Sequence, residues 1–259
     1  MKTLVKTISF AALVAFSATC FAGLTGKQVM EKIRDREKSK DSQGKITMTL
    51  VDKNGDQRKR SITVFNKNYG SDSKNVMYFS EPADVKGTGF LQENSEDESK
   101  EVKMIYLPAL KKVRRITGSS KNESFMGSDF TYDDMGKRAV DADEHTLLKE
   151  EPCEGQKCWI VESKPKDKSH PYSKVTTWIR QDALIPIKAD IYDKQGNLLK
   201  VMVAKEIRKQ KGFWTAFNST MENVQEKHKT ILKVDSIDYN VGLKDDLFTV
   251  KTIEKGYMK

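Results

Sequence analysis

The chain has 259 residues, of which 32% are charged, and its formal net charge is +9. This length suits one large domain or two small ones. Apart from the N-terminus, no stretch of the sequence is apolar enough to span a membrane. The modest excess of positive charge favours anionic surfaces in general and does not point to nucleic acid.

The first 22 residues have the pattern of a secretory signal peptide. Lys2 and Lys6 form a basic start, an apolar run follows, and small residues lead to Ala22. We predict cleavage after Ala22, which removes two lysines and no acid and lowers the net charge from +9 to +7. A lipoprotein anchored through Cys20 is the alternative. It is disfavoured because the residues before Cys20 lack the leucine of a lipoprotein signal.

Removal of this leader leaves two cysteines, Cys153 and Cys158. They flank the turn sequence EGQK between two strand-like stretches, and an even pair in an exported chain is typical of a disulfide. We predict a structural disulfide across the end of a hairpin. It should stabilise the fold by only about 2 kcal/mol because the closed loop is short.

The exported chain begins with a predicted helix over residues 25–39. Thr25 is a candidate N-cap and Gln28 follows three residues later, which is the pattern of a capping box. The apolar stripe of this otherwise charged helix consists of Val29, Met30 and Ile33. We therefore expect the helix to pack with one face only.

From Gly44 onward the hydrophobic period changes to the alternation of β-strands. About a dozen such stretches follow at hairpin spacing, which predicts a long antiparallel meander within one domain, residues 23–259. A twisted sheet of that size has to curl, split or close. One polar face suits a sheet with water outside and a buried face inside. The predicted fold class is therefore mainly β (α+β).

The run KKVRR at residues 111–115 is dense in positive charge. On a strand, Lys111 and Arg115 point to one face, and Lys112 and Arg114 point to the other. Charge on both faces is typical of an edge strand that is protected against aggregation. The run also fits a docking patch for anionic headgroups or an acidic partner, and both interpretations stay open.

The sequence gives little support for catalysis. Its three histidines, His145, His170 and His228, are far apart, and HExxH, G-x-S-x-G and phosphate-binding loops are absent from the sequence. Asp133 and Asp134 are adjacent, which does not by itself bring two carboxylates together on a substrate. We expect these acids to cap or solvate a short helix, and we expect no enzyme, no metal and no cofactor.

Three motifs, in this order and spacing, give the chain a family resemblance: PADVKGTGFL at residues 82–91, YLPALKKVRRI at 106–116 and FMGSDFTYDDM at 125–135. Together they resemble the periplasmic outer-membrane lipoprotein-sorting proteins, which are relatives of the LolA and LolB carriers and include an uncharacterised spirochaete protein. The likeness covers essentially the whole chain after the leader.

The resemblance implies an incomplete antiparallel β-barrel of about 11 strands, with short helices as a lid over a hydrophobic cavity. The cavity would hold the acyl chains of a lipoprotein or another lipid for transfer toward the outer membrane. The implied protein is a periplasmic monomer with peripheral membrane contact and an RND-type inner-membrane transporter as a candidate partner. Nucleic acid is not an expected partner. The alternative is a periplasmic adaptor of an inner-membrane transporter without lipid cargo.

The same resemblance assigns a role to residues 121–138, which depart from the strand pattern. This segment carries five large apolar side chains: Phe125, Met126, Phe130, Tyr132 and Met135. In the family reading they belong to the lid, where pliable methionines and large aromatic rings suit variable acyl chains. In the other reading they plug the core and hold no ligand. Trp178 and Trp214, on predicted strands, are further candidates for lipid contact.

Overall fold

The computed structural model describes residues 23–256. The predicted signal peptide and Cys20 therefore lie outside the described residues. Two α-helices, α1 (Gly26–Arg34) and α2 (Val250–Lys255), flank the strands. The strands are β1 (Asp41–Val51), β2 (Gln57–Tyr69), β3 (Asp72–Glu81), β4 (Gly89–Asn94), β5 (Val102–Leu107), β6 (Lys112–Arg115), β7 (Asp143–Cys153), β8 (Gln156–Pro165), β9 (Tyr172–Arg180), β10 (Ile185–Asp193), β11 (Leu198–Gln210), β12 (Phe213–Asn223) and β13 (His228–Tyr239).

The strands form one 13-stranded antiparallel sheet in the order β6-β5-β4-β3-β2-β1-β13-β12-β11-β10-β9-β8-β7. Because β1 pairs with β13, the first and last strands meet in the middle of the sheet. Strands β6 and β7 consequently form the two edges, and the barrel is incomplete as predicted. The count of about 11 strands is too low, because every alternating stretch finds a neighbour, including the four-residue β6 at the edge.

A single side chain shows how strongly the sheet curls. Asp133 lies 3.3 Å from the ammonium of Lys103 on β5 and 3.7 Å from Nε2 of His170, two residues before β9. Strands β5 and β9 are nine positions apart in the sheet. If the sheet were flat, that separation would be roughly 43 Å at about 4.8 Å per strand. The sheet is therefore rolled so that its two halves face a common interior.

The strand register defines which face is turned inward, because residues directly opposite each other share a face. One row runs across five strands through Leu50, Thr230, Met221, Met202 and Ala189. Several of its members belong to the largest hydrophobic cluster of the protein. We call the face that carries this row the inner face and the other the outer face.

Helix α1 packs on the inner face at the β7–β9 end of the sheet. Val29 is fully buried in a cluster with Trp159, Val161 and Ile179. The predicted capping box is confirmed: the Thr25 backbone N–H donates to the Gln28 side chain at 2.8 Å, and the Thr25 hydroxyl accepts from the Gln28 N–H at 3.2 Å. The apolar stripe of α1 ends at Ile33, one residue before the end of the helix.

The helix itself ends at Arg34, not at residue 39 as predicted. Residues 35–40 are all polar or charged, so a longer helix would present no apolar side chain to the sheet. The strand pattern also begins earlier than predicted, at Asp41 before Gly44.

Helix α2 and the residues before it cover the outer face over β2–β6. Phe248 and Ile253 are fully or nearly fully buried against Phe65 and Leu91. A Cβ atom at Gly89 would lie 2.8 Å from the Cβ of Ile253, so only glycine permits this close approach. Within residues 23–256, no helix combines the length and apolar character needed to cross a bilayer.

The predicted disulfide is confirmed. Cys153, at the end of β7, is bonded to Cys158 on β8, with their Cα atoms 6.1 Å apart. It closes the end of the β7–β8 hairpin. Cys158 is fully buried beside Ile160 and Ile187 in a small cluster on the outer face.

Candidate functional site

Residues 116–142 connect β6 to β7 and therefore run from one edge of the sheet to the other. We call this segment the strap. Its regular structure is limited to short 3-10 turns, at Gly118–Asn122, Phe125–Gly127 and Val140–Ala142, and to a bridge between Ser124 and Thr131. The other connections between consecutive strands are short turns, so the strap is the connection that can cross the inner face.

Phe125 fixes the middle of the strap to the inner face. Its side chain is fully buried. The centre of its ring lies 5.0 Å from that of Phe90, 5.5 Å from that of Tyr132 and 6.1 Å from that of Phe79. Pairs with this geometry add about 0.5–1.5 kcal/mol each to the burial of apolar area. The Phe125 N–H also donates to the carbonyl of Phe130 at 2.7 Å, which closes a compact turn.

The strap covers a broad apolar surface of the sheet. Phe130 and Tyr132 are buried in the same cluster as Phe125, and Met126 and Met135 pack against it while partly exposed. The sheet residues beneath them include Met48, Leu50, Ile62, Met77, Phe79, Phe90, Ile105 and Met221. A surface rich in methionine and aromatic rings can adapt to apolar groups of different shape.

Asp133 ties the strap to both halves of the rolled sheet. Its partner Lys103 has a fully buried side chain and a second carboxylate partner, Glu101, at 2.7 Å. Glu101 in turn holds Lys121 of the strap at 2.6 Å. The contact with His170, followed by the charges of Lys103 and Lys121, lowers the pKa of Asp133 well below its usual value. Asp133 therefore stays ionised and paired at any physiological pH.

Asp134 connects the strap to strands β9 and β11. It accepts a hydrogen bond from the Tyr172 hydroxyl at 3.0 Å and lies 3.4 Å from the ammonium of Lys200. It also accepts from the N–H of Thr131 at 2.8 Å, which caps a turn. Burial and the charge of Asp134 raise the pKa of Tyr172, so the hydroxyl keeps its proton and donates a hydrogen bond to the carboxylate.

Asp129 ties the strap to β13. Its side chain is only 3% exposed, and its carboxylate lies 2.8 Å from Nδ1 of His228. The Thr230 hydroxyl donates to the same carboxylate at 2.7 Å, and the Asp129 N–H donates to the Thr230 oxygen at 2.9 Å. The polar atoms of this anchor are thus satisfied by β13, which lies in the middle of the sheet.

Two further contacts hold the strap near β6 and β2. Arg114 donates to the carboxylate of Glu123 at 2.6 Å, and the guanidinium of Arg60 donates to the carbonyl of Met126. The expectation that Asp133 and Asp134 cap or solvate a short helix is wrong except for the turn at Asp134, because both acids pair with bases of the sheet. The strap therefore combines an apolar centre with polar anchors along its length.

All three histidines contact the strap, although the sequence separates them widely. His170 and His228 face its acids, as described above, and His145 places Nε2 at 2.8 Å from the carbonyl of Val140. The strap is therefore joined to the sheet by polar contacts around an apolar centre, and it covers an apolar surface of the sheet.

The structure brings the five predicted lid residues together but not the two tryptophans. Trp178 lies opposite Ile160 and Lys188 in the register, on the outer face, with the Lys188 ammonium 4.1 Å from the centre of its ring. Trp214 stacks with the guanidinium of Arg180 at 5.1 Å. Neither residue belongs to the cluster that the strap covers.

The basic run lies at an edge of the sheet, where its charge pattern predicts an edge strand. Lys112–Arg115 form β6, and Lys111 precedes it in a left-handed conformation with φ of 48°. All four basic residues, Lys111, Lys112, Arg114 and Arg115, are exposed, and Arg114, which shares the inner face with Ile105, also binds the strap.

Sequence reasoning missed the anchors on the sheet, because ion pairs between distant segments leave no local pattern. The sequence contains a signal for two of these anchors, Lys103 and Lys200. Each lysine lies two residues before an inward-facing apolar residue of its strand, Ile105 or Met202, and therefore shares the inner face with it. A lysine at such a position requires a buried partner.

The family comparisons agree with this architecture. A family model described as an uncharacterized protein matches residues 71–255. A DUF1329 family protein from Desulfovibrio piger is 32% identical, with 88% of this chain and 97% of that chain covered and a TM-score of 0.83. The chain belongs to the DUF1329 family. No curated protein matches it in sequence.

Two other solved structures are similar to this DUF1329 protein. An outer membrane lipoprotein-sorting protein domain from Vibrio parahaemolyticus is 28% identical, with a TM-score of 0.82 over 88% of this chain and 98% of that chain. A LolA superfamily protein from Nitrosomonas europaea, at 19% identity, has a TM-score of 0.68 over 88% of this chain and 99% of that chain. The second likeness shows a shared fold. The family resemblance predicted from the three sequence motifs is confirmed.

Proposed function

We propose that the protein is a periplasmic carrier that binds the acyl chains of a lipoprotein or another lipid on the inner face, beneath the strap. The observation that carries the proposal is the strap itself: a segment without long helices or strands covers an apolar, methionine-rich face and is fastened by ion pairs. The likeness to the Vibrio parahaemolyticus lipoprotein-sorting domain supports this ligand class. The signal-peptide pattern of residues 1–22 supports export.

The energetics of acyl transfer require such a face. Each CH₂ group that leaves a membrane for water costs about 0.8 kcal/mol, so a carrier needs a site almost as apolar as lipid. In the closed arrangement Phe125, Phe130 and Tyr132 fill that site. We propose that the acyl chain replaces these side chains when the strap lifts. One apolar surface then exchanges for another, and the near balance allows both loading and release toward the outer membrane.

The polar anchors set the free energy of lifting the strap. When it lifts, Glu123, Asp129 and Asp133 exchange protein partners for water, and the net value of each such hydrogen bond is small. Lys103, on β5, keeps Glu101 just before that strand as its partner, so its charge is not left unpaired. The proposed cycle makes and breaks no covalent bond, and it therefore uses no catalytic residue and no cofactor.

The exposed basic run is the proposed contact with a membrane or an acidic partner, including an RND-type inner-membrane transporter. Arg114 is the member of this run that also holds Glu123 of the strap. An anionic surface that competes for Arg114 would remove this anchor, which would couple docking to opening. In this proposal residues 23–259 act as one monomeric domain.

A second candidate is a periplasmic adaptor of an inner-membrane transporter that holds no lipid. Complete burial of Phe125 favours this reading, because a permanent core plug has the same environment. The two candidates differ in one property: the carrier's strap opens while the sheet stays folded, and the adaptor's strap stays closed.

Locking the strap tests the carrier. The Asp129 N–H lies 2.9 Å from the Thr230 hydroxyl oxygen, so these residues of the strap and β13 are adjacent. The double substitution Asp129→Cys and Thr230→Cys should form a disulfide that mass spectrometry can verify. We expect a fluorescent fatty acid to bind the reduced double variant and not the oxidised one, because the closed strap occupies the site.

Wild-type protein, measured with and without reductant, is the control for reduction of the natural Cys153–Cys158 bond. Equal binding to the locked and unlocked forms would refute a site beneath the strap. Absence of binding to the wild type and to both forms of the variant would favour the adaptor. Native mass spectrometry of protein from its own periplasm adds an independent readout, in which co-purified lipid or acylated peptide supports the carrier.

A further inference from the structure

A cavity of about 460 Å³ lies at one open end of the rolled sheet. It is bounded by residues 36–39 after α1, by the turn at 182–184 between β9 and β10, and by the β11–β12 hairpin. Lys137, near the C-terminal end of the strap, completes its wall. The proposed acyl site beneath the strap does not use this cavity.

Positive charge dominates the lining. The cationic residues are Arg36, Lys38, Lys137 and Lys209, and the two carboxylates are Glu37 and Asp182. Asp182 is already held by two hydrogen bonds from Arg180, at 2.9 and 2.7 Å. Arg180, which does not line the cavity, therefore balances the charge of Asp182, and the cavity keeps an excess of positive charge.

The cations of the cavity are close enough to act on one another electrostatically. Desolvation lowers the pKa of both Arg36 and Lys38, and the positive charge of Arg36 lowers that of Lys38 further. Burial, followed by the positive charges of Lys38 and Arg36, lowers the pKa of Lys137 to about 8. Like charges gathered in this way raise the free energy of the empty site. A bound anion would reverse that effect.

Lys137 is also free to bind a ligand. Its backbone N–H donates to the Asn94 side chain at 3.2 Å. Within residues 23–256, its ammonium has no acceptor within hydrogen-bond or ion-pair distance, and its remaining electrostatic contacts are longer-range ones with Asp72 and Glu96. The guanidinium of Arg36 uses one of its donors on the carbonyl of Leu184, at 3.3 Å. Several charged donors thus point into one cavity with capacity to spare.

Neutral groups complete the site. Ser42 and Asn66 line the cavity with further hydrogen-bond donors, and Phe213, Trp214 and Tyr239 form an aromatic side. Multiple donors around a compact anion are what phosphate oxygens require. Aromatic rings beside a charged pocket suit an amphiphile whose polar end enters the pocket.

We propose that this cavity binds the phosphate group of an anionic ligand, a lipid headgroup or free phosphate, with Lys137 and Arg36 as its principal contacts. The site goes beyond the proposed carrier function, because it stands on its own lining whether or not an acyl chain enters beneath the strap. Lys137 belongs to the strap, so bound phosphate would also hold the end of the strap against the sheet.

Calorimetric titration with two probes tests the site. The probes are inorganic phosphate and dihexanoyl-phosphatidylglycerol, with dihexanoylglycerol as the matched lipid without phosphate. Lys137→Gln removes one cavity charge, and Lys205→Gln, on the exposed side of β11 and away from the cavity, removes one charge as the matched control. We expect Lys137→Gln to weaken the phosphate-bearing probe roughly tenfold or more, as loss of one charged hydrogen bond predicts. Lys205→Gln should leave its affinity unchanged.

The two probes separate the sources of phosphate. Comparable binding of both supports free phosphate as a ligand, and binding of the phospholipid alone supports a headgroup. No binding of either probe, no effect of Lys137→Gln, or equal weakening by Lys137→Gln and Lys205→Gln would overturn the site. Fatty-acid binding by the same variants reports on the carrier separately. If Lys137→Gln loses binding of the phosphate probe and keeps fatty-acid binding, the phosphate site is separate from the acyl site. If the wild type does not bind the fatty acid, the carrier proposal fails and the phosphate site is still tested by its own titration.

Discussion

Replacing Phe125 by alanine tests whether the strap opens independently of the sheet. Phe125 is fully buried and its ring contacts those of Phe79, Phe90 and Tyr132. Truncation of a phenylalanine in a packed core costs about 3–5 kcal/mol. Phe90→Ala is the matched control, because Phe90 has the same burial in the same cluster but belongs to strand β4.

The two variants should differ in how much global unfolding free energy they lose. If the strap opens while the sheet stays folded, Phe125→Ala weakens only the closed arrangement. The loss in global unfolding free energy then cannot exceed the free energy of strap opening. Phe90 also packs between Met77 and Ile105, its neighbours on β3 and β5, and these contacts persist when the strap is open. We therefore expect the larger global loss for Phe90→Ala.

Denaturant unfolding measures the free energy of global unfolding, and hydrogen exchange measures the free energy of opening the strap. The Asp129 amide donates to Thr230 across the boundary between strap and sheet, so it exchanges only when the strap lifts. A cost of about 3–5 kcal/mol in Phe125→Ala predicts exchange roughly 100- to 4,000-fold faster at this amide. Equal global losses in the two variants, with Asp129 exchanging only through complete unfolding, would refute an independently opening strap.

Three further predictions concern charge, the disulfide and export. The pKa of Asp133 is lowered by His170 and other neighbours in the folded state, so its stabilising effect is present above the unfolded value of about 3.9 and is lost as pH falls below it. Asp133→Asn should therefore be less stable than wild type at pH 7, with the difference shrinking below about pH 4 in thermal unfolding; a constant difference would contradict this linkage. Replacing Cys153 and Cys158 by alanine should lower the unfolding free energy by about 2 kcal/mol in a denaturant titration, and a much larger loss would show that the bond does more than close a hairpin. Intact mass of the exported protein should correspond to a chain that begins at Gly23, whereas a diacylglyceryl group on Cys20 would show the lipoprotein pathway instead.

The elements that local pattern can specify were predictable from sequence. Alternation identified the strands, Thr25 and Gln28 identified the start of α1, and the turn between Cys153 and Cys158 identified the disulfide. Each of these depends on residues within a few positions of one another. The end of α1 was missed, because the charged and polar residues 35–39 continue a helix-compatible composition but offer no apolar side chain to bury.

The site required tertiary structure. Pairing of β1 with β13 makes β6 and β7 the edges, and the curl of the sheet lets Asp133 meet Lys103 and His170 from opposite halves. No local pattern encodes contacts of that range. The face of Trp178 was equally undetermined, because apolar residues occupy both faces of β8 and β9, and alternation shows which residues share a face but not which face is covered. Only the path of the strap decides that, because it crosses one face of the sheet and buries it.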